Sequence, residues 1–176
     1  MPSISFRREI LGQVRPEVRM LLQKHWEEVA LNKDRITLDI DEAFYDAMEN
    51  AGALRIYTVR EAGHLLGYAV FFVKPHPHYR TKIWAVSDII WMERRLRTRR
   101  DIFSRIWRKL RHIVRPQLVC ATVGARFIAF IEASLREEGV AVMHTHSKVE
   151  HPALARVLRY LGHQHTEQGH SKYLGA

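Results

Sequence analysis

The 176-residue sequence predicts an α/β (α+β) fold, with a central mixed, mostly antiparallel sheet flanked by helices in one domain spanning residues 1–176. Three observations support this prediction. Two helix patterns come early in the chain, β-rich runs then follow one another in series, and the second half alternates helix, strand and helix. A chain of this length is large enough to bury its own core.

The N-terminal quarter predicts a short strand followed by two helices. The strand covers Ser3–Ile10. Apolar residues recur at helical spacing over Pro16–Leu31, and the proline is expected in the first turn of that helix. A second helix, capped by Asp39 or Asp41, is predicted to run through Met48 and to end at the sequence Asn-Ala-Gly.

Three β-rich runs follow in series. Leu54–Pro75 predicts a hairpin, because two runs of β-forming residues flank a short segment that contains the turn-forming Gly63. Lys82–Met92 predicts a third, longer strand. These runs form the centre of the predicted sheet.

The C-terminal half predicts two helices around one strand. A helix over Val123–Gly139 has an apolar stripe and ends at its glycine. Val140–His146 is expected to be a buried strand, and His151–Gly162 a helix with a proline near its start. Residues 163–174 predict a last strand or hairpin.

The net charge of +9 is concentrated in one segment. Arg94–Arg115 contains nine Arg and one Lys against one Asp, so the rest of the chain carries no net charge. An apolar stripe over residues 102–114 predicts a helix within this segment. We interpret residues 93–117 as a basic helical insert and expect only weak or nonspecific binding of nucleic acid by it.

Composition also bounds the compartment. The single cysteine, Cys120, excludes an internal disulfide and is typical of a reducing environment. No apolar run approaches membrane-spanning length, and residues 1–12 carry charges where a signal peptide needs apolar residues. We therefore expect a cytoplasmic protein without a membrane span.

The order of the elements and the amino-acid sequences of several segments resemble those of the GNAT N-acetyltransferase family. The resemblance is closest to GNAT-like proteins of tailed bacteriophages. The resemblance covers most of the chain outside the insert. The segments that carry it are HWEEVALNKDRITLDID, GYAVFFVKPHPHY, WAVSDIIWM, GARFIAFIEASLREEGVAVMHTHSKV and YLGHQHTEQGHSKYL. It implies an acyl-CoA N-acyltransferase fold and transfer of an acetyl group from acetyl-CoA to an amine acceptor in the host-cell cytoplasm. Other virion proteins are expected partners if the protein is carried in the particle.

The resemblance also implies where acetyl-CoA binds. The central strand is expected to separate from its neighbour, and its backbone then pairs with the pantetheine arm. The turn into the next helix is expected to hold the pyrophosphate. The residues expected to bind the cofactor are Ile89, Ile90, Trp91, Met92, Arg94, Arg95, Gly124, Ala125 and Arg126.

Two interpretations of the phosphate loop remain open. In the first, Gly124 opens the cofactor helix, although Ala121 and Arg126 depart from the family pattern and about thirty residues separate this glycine from the strand. In the second, the sequence RRLRTRR is the loop, residues 100–114 form the cofactor helix and residues 117–123 form a strand. The second interpretation is favoured because arginine is a strong phosphate ligand. The first interpretation is favoured because the sequence after Gly124 resembles that of the family.

Four residues are candidate catalytic groups. Asp88 lies on the predicted central strand, where some family members place a carboxylate base. Glu27, with its neighbour Glu28, is expected to border the acceptor cleft. His151 stands at the family's usual Asn position, and Tyr173 is a candidate substitute for the family's Tyr, which is absent here.

A noncatalytic protein is the alternative function. The same fold would then act as a virion component or as a binding protein through its Arg-rich helix. The chain is rich in histidine, with His144 and His146 expected on one face of a strand, but no zinc-binding motif supports them. We therefore expect no metal site.

Overall fold

A computed structural model describes residues 3–97 and 122–174 of the chain. Its elements follow the predicted order, and their bounds are β1 (Ile4–Glu9), α1 (Leu11–Val29), α2 (Glu42–Asn50), β2 (Leu54–Glu61), β3 (His64–His76), β4 (Tyr79–Met92), α3 (Arg94–Arg97), α4 (Val123–Glu137), β5 (Val140–His144) and α5 (Pro152–Tyr160). The predicted basic helix over residues 102–114, like Cys120, lies outside the described residues.

The five strands form one sheet in the order β1-β2-β3-β4-β5. The first four pair antiparallel with their neighbours in sequence, and β4 pairs with β5 in parallel. The helix α4 lies between β4 and β5 in sequence, as a parallel connection requires. The observed fold is therefore the predicted mixed, mostly antiparallel sheet flanked by helices.

The helices cover both faces of the sheet. One core cluster joins α4 and α5 to the sheet around the fully buried Phe127, Ile128 and Ile131. The other joins α1 and α2 to the opposite face around Tyr68 and Trp91. Because side chains alternate along a strand, β4 contributes to both clusters with neighbouring residues.

Local sequence signals account for the ends of several elements. Asp41, rather than Asp39, caps α2, since its carboxylate accepts a hydrogen bond of 2.9 Å from the backbone N–H of Phe44. The β2–β3 hairpin turns at Ala62 and Gly63, which have φ angles of 49° and 88°. Positive φ at both positions matches the twist of the hairpin.

Two sequence predictions are wrong. Helix α1 begins at Leu11, so Pro16 lies inside the helix and not in its first turn. The missing N–H of proline removes one hydrogen bond but does not stop this helix. The predicted last strand is also absent, because residues 163–174 have no regular secondary structure. Within the described ranges, no helix is both long and apolar enough to cross a membrane.

Candidate active site

Strands β4 and β5 separate part-way along the sheet. They pair in parallel only from Ile83 to Val86 of β4, and β5 ends at His144. Beyond the last pair, the backbone N–H of His146 donates to Ser87 Oγ at 2.9 Å, and its ring Nδ1 lies 3.1 Å from the Ser87 carbonyl oxygen. From Asp88 to Met92, this edge of β4 faces no other strand of the described residues. Its outward backbone groups are available to an extended polar ligand, except the Met92 carbonyl oxygen, which accepts a hydrogen bond of 2.8 Å from Arg97 Nε.

A β-bulge places Asp88 where the two strands separate. Val70 of β3 pairs with Ile89 and Phe71 pairs with Ser87, so Asp88 is the extra residue on β4. Bulges are common beside active sites because they change the direction of a side chain. The exposed Asp88 carboxylate accepts a hydrogen bond of 2.7 Å from the Tyr45 hydroxyl of α2. Burial, together with this hydrogen bond, raises the pKa of Tyr45 and keeps it a neutral donor.

A second polar pair lies on the same face of the sheet. The His25 ring Nδ1 of α1 is 2.9 Å from the Tyr68 hydroxyl of β3, and the His25 ring centroid lies 5.8 Å from that of Trp91. Burial lowers the pKa of His25 to about 4, so its imidazole is neutral at neutral pH. Burial, and then the charges of Tyr45 and Asp88, raise the pKa of Tyr68.

Glu28 joins α1 to the end of β4 and to α3. The Trp91 indole donates to its carboxylate at 3.1 Å, and the Arg97 guanidinium donates to both of its oxygens, one of them at 2.9 Å. Arg94 approaches at 3.4 Å. The hydrogen bond from Arg97 is the main reason why the pKa of Glu28 falls to about 2. With a side chain only 9% exposed, Glu28 is a buried anion with cationic partners.

Glu27 occupies a different face of α1 from Glu28. Its side chain is exposed and accepts a hydrogen bond of 2.8 Å from Gln23, one helical turn earlier. Of these two neighbouring glutamates, Glu28 is therefore the one that contacts the end of β4. A catalytic role for Glu27 stays a prediction, since it is placed at the surface of the helix.

The arginines after β4 pair with carboxylates of the chain itself. Arg95 lies 2.7 Å from Glu61 and 2.9 Å from Glu93. Arg94, whose side chain is 80% exposed, adjoins Glu28. The predicted role of Arg94 and Arg95 as phosphate ligands requires these cations to bind an anion beside their present partners, and it stays a prediction.

Helix α4 begins against the end of β4. Thr122 caps it and accepts a hydrogen bond of 3.2 Å from the backbone N–H of Ala125. A Cβ atom added at Gly124 would lie 3.7 Å from Met92 Sδ and 3.8 Å from the carbonyl oxygen of Arg97, which are ordinary contacts. The segments named by the two phosphate-loop interpretations are therefore neighbours in space.

The element order agrees with the first interpretation of that loop. Val123 is the first residue of α4, whereas the second interpretation expects a strand to end there. Strand β5 lies where the resemblance to the family predicts it. The helix that the second interpretation places at residues 100–114 lies outside the described residues. Arg126 lies on another side of α4, with its guanidinium carbon 5.4 Å from the ring centroid of Phe6 in β1.

The other two candidate catalytic residues lie near the C-terminal end of the described chain. His151 is the residue before α5 and makes no side-chain cap there. Tyr173 lies in the irregular C-terminal segment, and its ring centroid is 5.3 Å from the guanidinium carbon of Arg35. Within residues 3–97 and 122–174, no hydrogen bond joins either residue to Asp88. Their catalytic roles stay predictions.

Sequence reasoning missed His25, Tyr45 and Tyr68. One signal was available, because His25 follows Leu21 and Leu22 by four and three residues and so continues the apolar stripe of α1. A polar ring on such a stripe needs a hydrogen-bond partner when it is buried. The partner, Tyr68, is more than forty residues away in sequence, so the pairing itself could not be read from the sequence.

No family model matches this chain, and no curated protein matches it significantly. Solved structures do match, and they define the class: the chain has the GNAT acetyltransferase fold. An aminoglycoside acetyltransferase from an uncultured soil metagenomic sample, in complex with trehalose, has a TM-score of 0.63 at 10% identity, over 98% of this chain and 96% of that one.

Two further neighbours share the fold. Ribosomal-protein-alanine N-acetyltransferase from Brucella melitensis biovar Abortus 2308 has a TM-score of 0.60 at 12% identity, over 98% of this chain and 100% of that one. A predicted acetyltransferase from Clostridium acetobutylicum, solved with acetyl-CoA, has a TM-score of 0.58 at 11% identity, over 98% and 97% of the two chains. The fold predicted from the sequence is thus confirmed.

Proposed function

We propose that this protein is an acetyl-CoA-dependent N-acetyltransferase. The observation that carries the proposal is the separation of β4 from β5, which begins at the Asp88 bulge and extends to Met92, where the first turn of α4 packs. Together with the acetyltransferases that share the fold, this geometry supports a site where an extended thioester cofactor and an amine acceptor meet.

The residues at this site fit acetyl-CoA. The edge of β4 from Ile89 to Met92 offers N–H and C=O groups that match the amides of the pantetheine arm. The first turn of α4 offers backbone N–H groups and the positive end of its dipole to the pyrophosphate. Gly124 is buried there, and a Cβ atom added to it would make only ordinary contacts with the described residues.

Asp88 is the proposed general base. Acetyl-CoA, when bound, supplies the activated acetyl group. Asp88 takes the proton that an acceptor ammonium must lose before its nitrogen can form the amide bond. Tyr45 holds Oδ2 of this carboxylate, and in the described part of the chain no donor is bonded to Oδ1. We therefore assign Oδ1 to the acceptor and Tyr45 to the positioning of Asp88.

The proposal also assigns this acetyltransferase to the type found in tailed bacteriophages. It rests on the sequence resemblance, as do the host-cell cytoplasm as compartment and other virion proteins as partners. The noncatalytic alternative is favoured by one observation. Leu158, at the position where the family has its Tyr, is a buried core residue, so this helix supplies no proton to a leaving thiolate.

Calorimetry with CoA tests the cofactor site through two substitutions of one residue. Gly124→Asp adds a carboxylate to the first turn of α4, where it favours the helix but repels a pyrophosphate. We expect CoA affinity to fall at least ~10-fold, about 1.4 kcal/mol. Gly124→Ala is the matched control and should bind CoA as the wild type does. A wild-type titration that stays flat up to millimolar CoA contradicts the proposal.

Catalysis is separated from binding by Asp88→Asn. This variant should keep CoA affinity and lose transfer by ~100-fold or more when thiol release is measured across a panel of amines. Full transfer by the variant would remove Asp88 from the role of base. CoA binding without transfer by the wild type to any amine of the panel would favour the noncatalytic alternative.

A further inference from the structure

Four aromatic and imidazole rings form a stacked surface at the far end of the β3–β4 hairpin. We call His76, Tyr79, Trp84 and His144 the ring platform. The ring centroids of His76 and Trp84 are 3.9 Å apart, and those of Trp84 and His144 are 4.6 Å apart with their planes 17° from parallel. Tyr79 lies 6.1 Å from Trp84 at 14°. Three elements therefore place rings in one stack, in which Tyr79, Trp84 and His144 are nearly parallel and His76 is tilted by 37° from Trp84.

The ring platform is partly exposed, since Tyr79 is exposed and its other three rings are half-buried, and it lies further along β4 than the proposed cofactor site. Tyr79 is 56% exposed. Trp84 pairs across the sheet with Lys74, so both share the face on which Phe72 packs against α2. Trp84 and Asp88 are four positions apart on β4, about 13 Å at the usual rise of a strand, and His144 pairs with Val86 between them. The platform thus lies on the face of the sheet that α1 and α2 cover, beyond the part that these helices reach.

The two chain segments that carry the platform are basic and contain no acidic residue. Residues 74–87 and 139–149 include Lys74, Arg80, Lys82 and Lys148 but no Asp or Glu. In the part of the chain that the structure describes, no carboxylate lies within ion-pair distance of Lys74, Arg80 or Lys82. These cations are exposed, so they remain available to an external anion.

The chemistry of the platform limits the class of ligand that it can bind. Among the described residues, no three His, Cys, Asp or Glu side chains converge as a metal site would require. Flat rings offer a stacking surface to planar groups of any sequence, and nearby cations offer charge to phosphates. Single-stranded nucleic acid provides both groups on one ligand.

We infer that the ring platform, with Lys74, Arg80 and Lys82, binds single-stranded nucleic acid. Bases stack on Tyr79 and His144 at the two ends of the platform, because Trp84 is already flanked by His76 at 3.9 Å and His144 at 4.6 Å, and the cations contact the phosphates. This inference is independent of acetyl transfer and of the Arg94–Arg115 segment. It concerns a site whose rings lie on β3, β4 and β5, although the sequence directed attention to the arginines.

The experiment compares two labelled 12-mers by fluorescence anisotropy at 150 mM salt. One is oligo-dT, and the other is an abasic strand with the same phosphates and no bases. The wild type should bind oligo-dT ~10-fold more tightly, since stacking on even one ring contributes a factor of this order. Trp84→Ala keeps every charge, so it should abolish that preference and leave abasic binding unchanged.

Two controls make the result decisive. Tyr160→Ala removes an exposed ring from α5, outside the platform, and should keep the ~10-fold preference. His144→Ala removes a second platform ring from β5 and should reduce the preference even if Trp84→Ala fails to fold. Equal wild-type affinity for the two strands overturns the inference, because binding is then only electrostatic. A preference that survives both platform substitutions overturns it as well.

Discussion

Two basic regions of this molecule differ in what surrounds them. The arginines of α3 lie in the densest charge run of the sequence, yet Arg94, Arg95 and Arg97 each contact a carboxylate of the chain. The cations beside the ring platform are sparse in sequence, yet Lys74 and Lys82 have no acidic neighbour within the described ranges. Charge density along a sequence is therefore a poor guide to the charge that a ligand meets.

The largest expected effect comes from the buried anion that holds α3. Glu28→Gln keeps the shape of the side chain but leaves the Arg97 guanidinium, which is half-buried, without its counter-charge. We expect a loss of about 2 kcal/mol in the free energy of unfolding, below the range for fully buried pairs. Urea denaturation measures it. Glu27→Gln is the matched control and should change stability by less than ~0.5 kcal/mol.

If Glu28→Gln and Glu27→Gln lower the free energy of unfolding by the same amount, the proposed difference between the two basic regions is wrong. In that case the contacts of Glu28 contribute no more than those of an exposed residue, and the α3 arginines would be as free as the cations beside the platform. A larger loss for Glu28→Gln supports the view that these arginines serve the fold.

The second effect is a pH dependence from His25, which neighbours Glu28 on α1. Its pKa is lowered from 6.5 to about 4, so below pH 6.5 the unfolded chain binds a proton that the native chain excludes. Stability is therefore complete above pH 6.5 and declines as the pH falls toward 4. We expect about 1 kcal/mol of this decline between pH 6.5 and 5.

His25→Gln isolates this decline, because glutamine can bond to the Tyr68 hydroxyl but does not titrate. Denaturation at pH 6.5 and pH 5 should show a smaller difference in the variant than in the wild type. Glu28 does not confuse the result, since its pKa is lowered from 4.5 to about 2 and its contribution is lost mainly as the pH falls from 4.5 toward 2, below this range. Identical pH profiles for the two proteins would exclude His25 as the source.

The smallest effects distinguish the two basic regions directly. Lys82→Gln and Arg94→Gln each remove one exposed cation and should change stability by less than ~0.5 kcal/mol. Lys82→Gln should also lower the salt dependence of binding to the abasic strand by about one phosphate contact. Arg94→Gln should lower it less, because Glu28 already adjoins that arginine. An equal reduction by both variants would remove the difference between the regions.

The sequence predicted the elements whose signals are local. Asp41 at the start of α2 and Gly63 in the hairpin act on their own neighbours, so their roles could be predicted without knowledge of the fold. The resemblance implied the acyl-CoA N-acyltransferase fold and directed attention to Asp88. By contrast, the strand or hairpin predicted for residues 163–174 does not form, and this segment has few β-branched or aromatic residues to favour a strand.

The site was less predictable because its contacts join distant parts of the chain. The Asp88 bulge depends on the register between β3 and β4, which no residue type in either strand reveals. The bonds from Trp91 and Arg97 to Glu28 each cross more than sixty positions. The sequence therefore identified candidate residues, and three-dimensional pairing decided which of them contact one another.

The contact between Arg97 and the first turn of α4 has a consequence for how this chain can be altered. Arg97 and Gly124 are adjacent in space, so the chain leaves the sheet and returns to it at almost the same point. A segment inserted between two positions that lie this close together can be lengthened, shortened or exchanged at little entropic cost, since the entropy of loop closure depends only weakly on loop length. The fold can thus acquire or lose an entire appendage there while every strand keeps its register.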